Sequence, residues 1–369
     1  MIPWRKMTND WRLWINLRAA GLPSFAIKIM IMRAYHLENT GAANKLIVKE
    51  HPIPEPGPKE VLVRMHAVSL NRRDTYILNS VYPLPSVPGV IPVSDGAGEV
   101  VAIGEAVQKF TIGDHVTGSY FARWVDGPFS RELGRYQLGC TLPGMLTEYA
   151  LLEEESLVHI PPHLSWEEAA TLPCAGLTAW SALTGSGPIT PGQTVLTIGT
   201  GGVALFALQF AKMLGAKVIA ITSCPEKAAR LIELGADDVI NRYTIPNWPP
   251  AVRALTNGQG IDHIIETGGA DTIEQSLQVA ALNAHVALVS VLGIQKKMIE
   301  IDPLILAGNL LTMRRLFVGN RTALEAMIRA MAVHLLHPVI DRVFPFEEAA
   351  QAYEYFATGR LMGKVVIKI

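Results

Sequence analysis

Residues 194–222, TVLTIGTGGVALFALQFAKMLGAKVIAIT, constrain the fold more than any other stretch of the chain. They open with an apolar, β-branched run at 194–198, bounded by Pro191-Gly192 before it and Gly199 after it. Such a run reads as a strand buried on both faces. Gly199, Thr200, Gly201 and Gly202 follow, then residues 203–214 with apolar side chains at helical spacing. Gly215 stops that helix, and 218–221 is a second strand. Strand, glycine turn, helix and strand make the βαβ unit of dinucleotide-binding folds.

The turn reads G-x-G-x-x-A through Gly199, Gly201 and Ala204. The first glycine permits the tight turn, the second lets backbone approach a pyrophosphate, and the small third residue lets helix pack on strand. Free N–H groups and partial positive charge at the helix start then attract the phosphates. Gly199, Thr200, Gly201, Gly202 and Val203 are therefore expected to hold the cofactor.

A chain of 369 residues, 49% hydrophobic and 18% charged, has material for two domains and a large core. Its net charge of −1 offers no basis for nucleic-acid or membrane-surface binding. Cys140, Cys174 and Cys224 are widely spaced, which indicates neither a disulfide framework nor a cysteine-rich zinc module, and a reducing cytoplasm is the expected setting. Residues 169–211 carry no charge, but Pro173, Gly176, Gly185, Gly187, Pro188, Pro191 and Gly192 divide them. The pieces fall far below the roughly 20 apolar residues that a membrane span requires.

Residues 1–31 hold five basic residues, one acidic residue and three tryptophans. A membrane-touching amphipathic helix, an organellar transit peptide and an upstream-extended start are the three readings; the simplest is the last, with the first domain beginning near Met32. From there short strands are expected at 32–37, 46–49, 60–69, 94–103, 110–116 and 146–152, separated by Gly and Pro. That is the pattern of a β-rich, partly open barrel. Asn71-Arg72-Arg73-Asp74 opens a short helical or loop segment that runs through Tyr76, and 117–145 is loop-rich. Ser165 with Glu168 forms a capping box for a helix leading towards Cys174 and Thr178.

Beyond the βαβ unit the alternation continues, with helices at 225–234 and 271–282 and strands at 238–240, 261–266, 285–291 and 315–318. Alternation of this kind means a parallel sheet covered on both faces. Helices at 323–336 and 346–356 precede a closing strand at 363–369, whose β character suggests that the tail rejoins the first domain. The expected fold is α/β, a doubly wound Rossmann domain at 161–318 beside a β-rich catalytic domain at 32–160, completed by 319–369.

An NAD-binding unit places Asp or Glu about 20 residues past the glycines to bind the ribose hydroxyls. No acidic residue lies between Gly199 and Pro225; the second strand ends at Thr222-Ser223, followed by Lys227, Arg230 and Arg242. A carboxylate would repel a 2′-phosphate, whereas hydroxyls and cations accept one. Ser223, Lys227 and Arg242 therefore point to NADPH in preference to NADH; the plainer alternative makes Lys227 and Arg230 the solvated face of a helix.

Taken together, AVSLNRRDTY, SDGAGEV, GDHV, LPCAGLTAW, GTGGVALFALQFAK, LGADDVIN and the final GKVVIKI resemble the medium-chain dehydrogenase/reductases over residues 32–369. The fit is to the zinc-independent, quinone oxidoreductase-like branch, and it implies a GroES-like catalytic domain. Zinc alcohol dehydrogenases of that superfamily have Cys where this chain has Asn71, and His-Glu where it has Ser94-Asp95. Only Cys174 matches a ligand. A catalytic zinc takes three protein ligands and an open position, so no metal is expected, with Asp74 and Asp95 as the remaining conceivable ligands. The structural-zinc lobe should fall at 120–150, where Cys140 stands alone.

The same resemblance gives Asn71 the task of positioning substrate or nicotinamide and Tyr76 that of donating a hydrogen bond or proton; the plainer reading of Tyr76 is a packed surface aromatic. Thr178 matches a cofactor-contacting threonine, and Val291, ending the fifth strand, joins the cofactor set. Cys174 reads first as a small buried hydrophobe beside the nicotinamide site. The implied activity is NADPH-dependent reduction of a quinone or an α,β-unsaturated carbonyl by a homodimer or homotetramer, without nucleic-acid partners or stable membrane insertion. A zinc alcohol dehydrogenase and a non-catalytic NADPH-binding protein are the alternatives.

Overall fold

The computed structural model describes residues 30–39, 44–290 and 298–369. Residues 1–29 and Val291 lie outside the described residues, so the readings of the N-terminal extension and the cofactor role of Val291 are not addressed by it. β1 (Ile31–Asn39) and β2 (Asn44–Pro52) form an antiparallel ribbon. β3 (Glu60–Ser69), a short helix α1 (Arg72–Leu78), β4 (Asp95–Ile103), β5 (His115–Gly118), β6 (Tyr149–Glu153) and β7 (Leu157–His159) build the first lobe.

The second lobe opens with α2 (Trp166–Ala169) and α3 (Leu177–Thr184). It then runs β8 (Thr194–Ile198), α4 (Gly202–Met213), β9 (Lys217–Thr222), α5 (Ala228–Glu233), β10 (Asp238–Asn241), α6 (Pro249–Leu255), β11 (Ile261–Glu266), α7 (Ile273–Gln278), β12 (Ala280–Leu288), α8 (Pro303–Asn309), β13 (Thr312–Arg315) and α9 (Arg321–His334). Its six strands are all parallel, in the order β10-β9-β8-β11-β12-β13. With β8 counted first this is the doubly wound order 3-2-1-4-5-6, whose crevice opens beyond the carboxyl ends of β8 and β11. β8 and β9 are buried almost throughout, as their unbroken apolar runs require.

The chain then returns through β14 (Ile340–Pro345), α10 (Ala349–Ala357) and β15 (Lys364–Lys368). β15 lies antiparallel to β3, giving the sheet order β14-β15-β3-β4-β5-β7 with β6 also on β3. The sheet curls without closing, since β14 and β7 end the order and do not pair with each other. Gly98 lets β4 approach β3 closely: a Cβ there would come 2.2 Å from the Arg64 carbonyl oxygen. Leu324, Met327, Ile328 and Met331 of α9 belong to the same core as Leu177 and Leu183 of α3 and Leu205, Phe206 and Phe210 of α4, and β14 follows.

Several boundaries differ from those expected of the sequence: the strand expected at 110–116 lies at His115–Gly118 and that expected at 285–291 at Ala280–Leu288. The helix expected over 271–282 ends at Gln278, and β12 begins at Ala280 because the small apolar residues there pair with β11. The last strand of the sheet lies at Thr312–Arg315 instead of 315–318. Past it Phe317 leaves the sheet and stacks on Phe129 of the first lobe, centroids 5.1 Å apart and planes 11° apart. Phe121, Trp124 and Phe129 pack edge to face around that contact. Arg321 N and Thr322 N donate to the Trp124 and Val125 carbonyls at 3.0 Å each. Aromatic packing and backbone hydrogen bonds thus hold the loop in which Cys140 is the sole cysteine.

His263 on β11 stacks on His285 of β12, centroids 5.3 Å apart, and its Nε2 meets Gln193 Oε1 at 3.2 Å. Burial, and then the neighbouring His285, hold its pKa down to about 4. The unfolded chain takes up that proton near pH 6.5, so stability is intact above that value and falls as pH drops towards 4. Urea unfolding at pH 4.5 and 7 should show a loss from this residue of about 2 kcal/mol, allowing for partial solvent screening. His263→Asn should flatten that part of the profile, and an unchanged slope would refute the assignment.

Candidate active site and dinucleotide turn

β8 ends in the glycine turn. Gly199 sits at φ +82°, a left-handed conformation that favours glycine, and its N–H donates to Ile221 O at 2.7 Å. Gly201 is the N-cap of α4, and a Cβ on it would meet nothing within 4 Å, so space stands open before the helix terminus. Gly202 is there for another reason: a Cβ would come 2.7 Å from Lys364 Cδ and 3.2 Å from Ala175 Cβ. Ala204 is buried against the sheet, and Val203 is half-buried beside it. Open space, bare backbone N–H groups and no acidic residue in the first turn of α4 fit a pyrophosphate.

At the far end of the turn the expected phosphate readers gather, but not freely. Ser223 is half-buried just past β9, and Arg242 N donates to Thr222 O at 2.9 Å. Lys227 is already engaged: its Nζ donates to Arg360 O at 2.7 Å, Leu361 O at 2.8 Å and Thr200 Oγ1 at 3.2 Å. Arg230 pairs with Glu233 on the exposed face of α5. The loop before β15 therefore lies over the cofactor turn, tied also by Gly363 N to Thr200 O at 2.9 Å.

Across the crevice Asn71 caps α1, and its backbone N–H donates to Asp74 Oδ2 at 2.7 Å. Lys364, only 2% exposed, donates from Nζ to Leu70 O at 2.6 Å and to Asn71 Oδ1 at 2.5 Å. Asp95, fully buried, accepts from Ser94 Oγ at 2.6 Å and from Cys174 N at 3.0 Å. Burial pushes the Asp95 carboxyl up, with Lys364 and Ser94 opposing, and pushes the Lys364 ammonium down, with Asp95 opposing. Burial likewise raises Asp74 to about 6 against the pull of Arg73.

Cys174 lies in a π-helical turn over Leu172–Gly176, partly exposed at one edge. Burial and the neighbouring Asp95 hold its thiol protonated at neutral pH. Thr178 Oγ1 donates back to Cys174 O at 2.7 Å, so this hydroxyl closes the turn. Tyr76 is half-buried, and its hydroxyl makes no hydrogen bond among the described residues.

Several site groups gave no sign in the sequence. Lys364 stands in an apolar closing strand, where burial of an ammonium is not foreseen. Arg73, beside Asn71, is buried beneath Tyr120 and Tyr82, whose hydroxyls share Gln137 Oε1. Glu266 at the end of β11 is fully buried and accepts from Gly268 N, Gly269 N, Thr272 Oγ1 and Ser276 Oγ at 2.6–3.0 Å. It fixes the loop facing the glycine turn, where Thr267 Oγ1 donates to Ile198 O.

The donor set does not fit zinc. Asn71 and Ser94 are poor ligands, Asp95 has both oxygens occupied, and the Lys364 ammonium stands at Asn71 Oδ1. Among the described residues no group of three or more His, Cys, Asp or Glu side chains is placed to share a metal ion. Nor is any helix among them long and apolar enough to cross a membrane.

Residues 57–162 match the alcohol dehydrogenase GroES-like domain, and residues 202–333 match the zinc-binding dehydrogenase domain. A zinc-type alcohol dehydrogenase-like protein of Schizosaccharomyces pombe is 39% identical over 346 residues, 92% of this chain and 100% of that protein. A quinone oxidoreductase of Pseudomonas aeruginosa is 33% identical, covering 89% of this chain and 96% of its own length. The solved structure of an NAD-dependent alcohol dehydrogenase superposes with a TM-score of 0.82 at 33% identity, over 91% of this chain and 99% of that one.

Replacing Lys364 by Met should leave Asp95 buried beside an apolar stem and strip Leu70 O and Asn71 Oδ1 of their donor. The expected cost is about 3 kcal/mol, read by urea unfolding at pH 7. A Lys364→Met protein as stable as the parent would show that the ammonium is not needed there.

Proposed function

The chain belongs to the medium-chain dehydrogenase/reductase family, in its quinone oxidoreductase-like branch, and on that premise we propose that it reduces a quinone or an α,β-unsaturated carbonyl with NADPH, without a metal ion. It is an NAD(P)H-dependent oxidoreductase by family; the acceptor class, the preference for NADPH and the independence from zinc are the reading advanced here. The observation that carries it is the buried Lys364 ammonium bound to Asn71 Oδ1, in a pocket whose side chains do not suit zinc.

NADPH, when bound, supplies the hydride. Gly199, Thr200, Gly201, Gly202 and Val203 would hold its pyrophosphate, with Thr178 nearer the nicotinamide and Ser223, Lys227 and Arg242 at the 2′-phosphate; Val291 stays in the cofactor set as the sequence suggests. Lys227 reaches a phosphate only by releasing the Arg360 and Leu361 carbonyls, a trade that a doubly charged partner favours. β9 ends on Thr222, followed by Ser223, without an acidic residue, and the first one after it, Glu226, accepts from Cys224 Sγ.

Hydride addition to a conjugated acceptor leaves negative charge on oxygen, and conjugation spreads that charge so that hydrogen-bond donors suffice in place of a Lewis acid. Lys364 has only donors, so it takes the Asn71 amide oxygen and leaves Nδ2 on the side of Asp95, whose charged form the Asn71 side chain favours. Tyr76, with its hydroxyl unengaged, is the proton or hydrogen-bond donor of this scheme. The Cys174 thiol takes no part as a nucleophile. The acceptor is a small molecule, the setting the cytoplasm, and the assembly a homodimer or homotetramer.

Purified protein mixed with NADPH and a panel of quinones and enals should oxidise the cofactor, and no turnover with any acceptor would sink the reading. Prolonged dialysis against a chelator should leave the rate unchanged; a loss restored by zinc would return the protein to the zinc alcohol dehydrogenases. In fluorescence titrations Ser223→Asp should weaken NADPH binding by roughly ten- to a hundredfold while leaving NADH within a few-fold.

A further inference from the structure

Glu266 ends β11 as a fully buried carboxylate to which the reduction scheme gives no task. Its Oε1 accepts from Gly268 N at 2.7 Å, Gly269 N at 3.0 Å and Thr272 Oγ1 at 2.6 Å, and its Oε2 accepts from Ser276 Oγ at 2.6 Å. Burial raises its pKa, and the Ser276 and Thr272 hydroxyls and the two N–H groups oppose that rise. All four partners are neutral. A carboxylate that leaves water without a cation carries a desolvation cost that an aliphatic side chain in the same space would not. What the carboxylate adds is direction: it holds two backbone N–H groups and two hydroxyls at set positions.

The backbone wrapped around it is tight. Gly269 sits at φ +63°, and a Cβ on Gly268 would collide with the Thr272 side chain. The Glu266 carbonyl accepts from Val289 N at 2.9 Å and Ser290 N at 3.2 Å, just past β12. The next residue, Thr267, donates from Oγ1 to Ile198 O at the end of β8. Glu266 and Thr267 together therefore tie the carboxyl ends of β8, β11 and β12.

Those ends border the crevice. A Cβ built on Gly199 would meet Thr267 Oγ1 at 3.9 Å, and one built on Gly201 would meet nothing within 4 Å. The loop at 267–269 thus stands beside the open glycine turn. In the sheet order it lies on the β11 side of β8, whereas Ser223 lies on the β9 side. A dinucleotide laid across the switch point has its adenosine ribose at the end of β9 and its pyrophosphate over the glycines, so its nicotinamide half runs towards β11.

We propose that Glu266 is a positioning residue for the cofactor, holding residues 267–269 against the glycine turn so that they wall the nicotinamide half of the crevice. It touches no part of the cofactor and acts through that loop. Without the carboxylate, Gly268 N and Gly269 N lose their buried acceptor, and the loop must turn them elsewhere. The β9 side of the crevice, where Ser223 and Lys227 stand, keeps its own bonds. This rests on the reading that NADPH occupies the glycine turn.

The test titrates the full chain with NADPH and with 2′,5′-ADP, which carries the adenosine and its 2′-phosphate but no nicotinamide half. Glu266→Leu should weaken NADPH by roughly ten- to a hundredfold and leave 2′,5′-ADP within a few-fold of the parent. Glu266→Gln, which keeps an acceptor for the two N–H groups and offers Ser276 Oγ a donor, should bring NADPH back to within a few-fold. A merely structural role would lower the fraction of protein that binds and leave both affinities unchanged. That outcome, or equal weakening of the two ligands, overturns the proposal. If the parent binds NADH and AMP but neither NADPH nor 2′,5′-ADP, the NADPH reading fails, and the comparison of NADH with AMP decides the role of Glu266. A parent that binds no dinucleotide overturns both. Should Glu266→Leu not fold, Glu266→Asp, whose shorter stem draws the carboxylate back from the loop, decides the outcome on the same two ligands.

Discussion

A buried ammonium joins the two lobes at the point where chemistry is expected. Lys364 begins β15, and the residue before it bonds to Thr200 of the glycine turn. Its stem crosses Gly202 at a distance that admits no Cβ, and its Nζ ends on Leu70 O and Asn71 Oδ1. One side chain therefore touches the cofactor turn along its length and the catalytic loop at its tip. A cation taken from water must find oxygens on the inside, and the positions of those oxygens set how α1 stands relative to α4.

Elsewhere the lobes meet where Ala169 and Ala170 beside α2 share a buried cluster with Ala67, Ala97 and Val366 and Trp166 stacks on His66, and through further contacts at the loops. Phe129 stacks on Phe317, and the backbone around Trp124 and Val125 bonds to the start of α9. Lys227 holds the loop before β15 through two of its carbonyls. The same loop leads to Lys364, so binding at the phosphate end and geometry at the reacting end pass through one short stretch of chain. That stretch is held besides by Gly363 N to Thr200 O, by Thr200 Oγ1 to Leu361 O and by Met362 N to Asp341 Oδ1 of β14.

The βαβ unit was legible because a continuous β-branched run, a glycine turn and a helical period leave few other arrangements. Alternation of strand and helix implied a parallel sheet, and its order β10-β9-β8-β11-β12-β13 came with the structure. Boundaries were less legible where small residues suit either state, as at Ala280, or where a residue leaves a sheet to meet the other lobe, as Phe317 does. In the site, Asn71 and Asp95 belong to one buried cluster with Cys174, although Asp95 acts there as an acceptor from Ser94 and Cys174 N. Lys227, read as a free phosphate cation, is held by carbonyls that lie more than a hundred residues away in sequence.

Residue types and their spacing were enough for a parallel sheet, a glycine turn at its centre and a missing acid at the end of β9, while the missing ligands at Asn71 and Ser94 were implied by the family resemblance. These are local properties, set by backbone freedom, periodicity and the chemistry of single side chains. Which charges are buried, and against what, came only with the tertiary structure. Lys364 reads in sequence as one lysine in a closing strand, and Arg73 as one of two adjacent arginines. The strand pairing of β15 with β3 places the first under Asn71, and the packing of α1 against Tyr82 and Tyr120 buries the second. Burial and partnership depend on what distant segments bring into contact, and no short stretch of sequence contains that information.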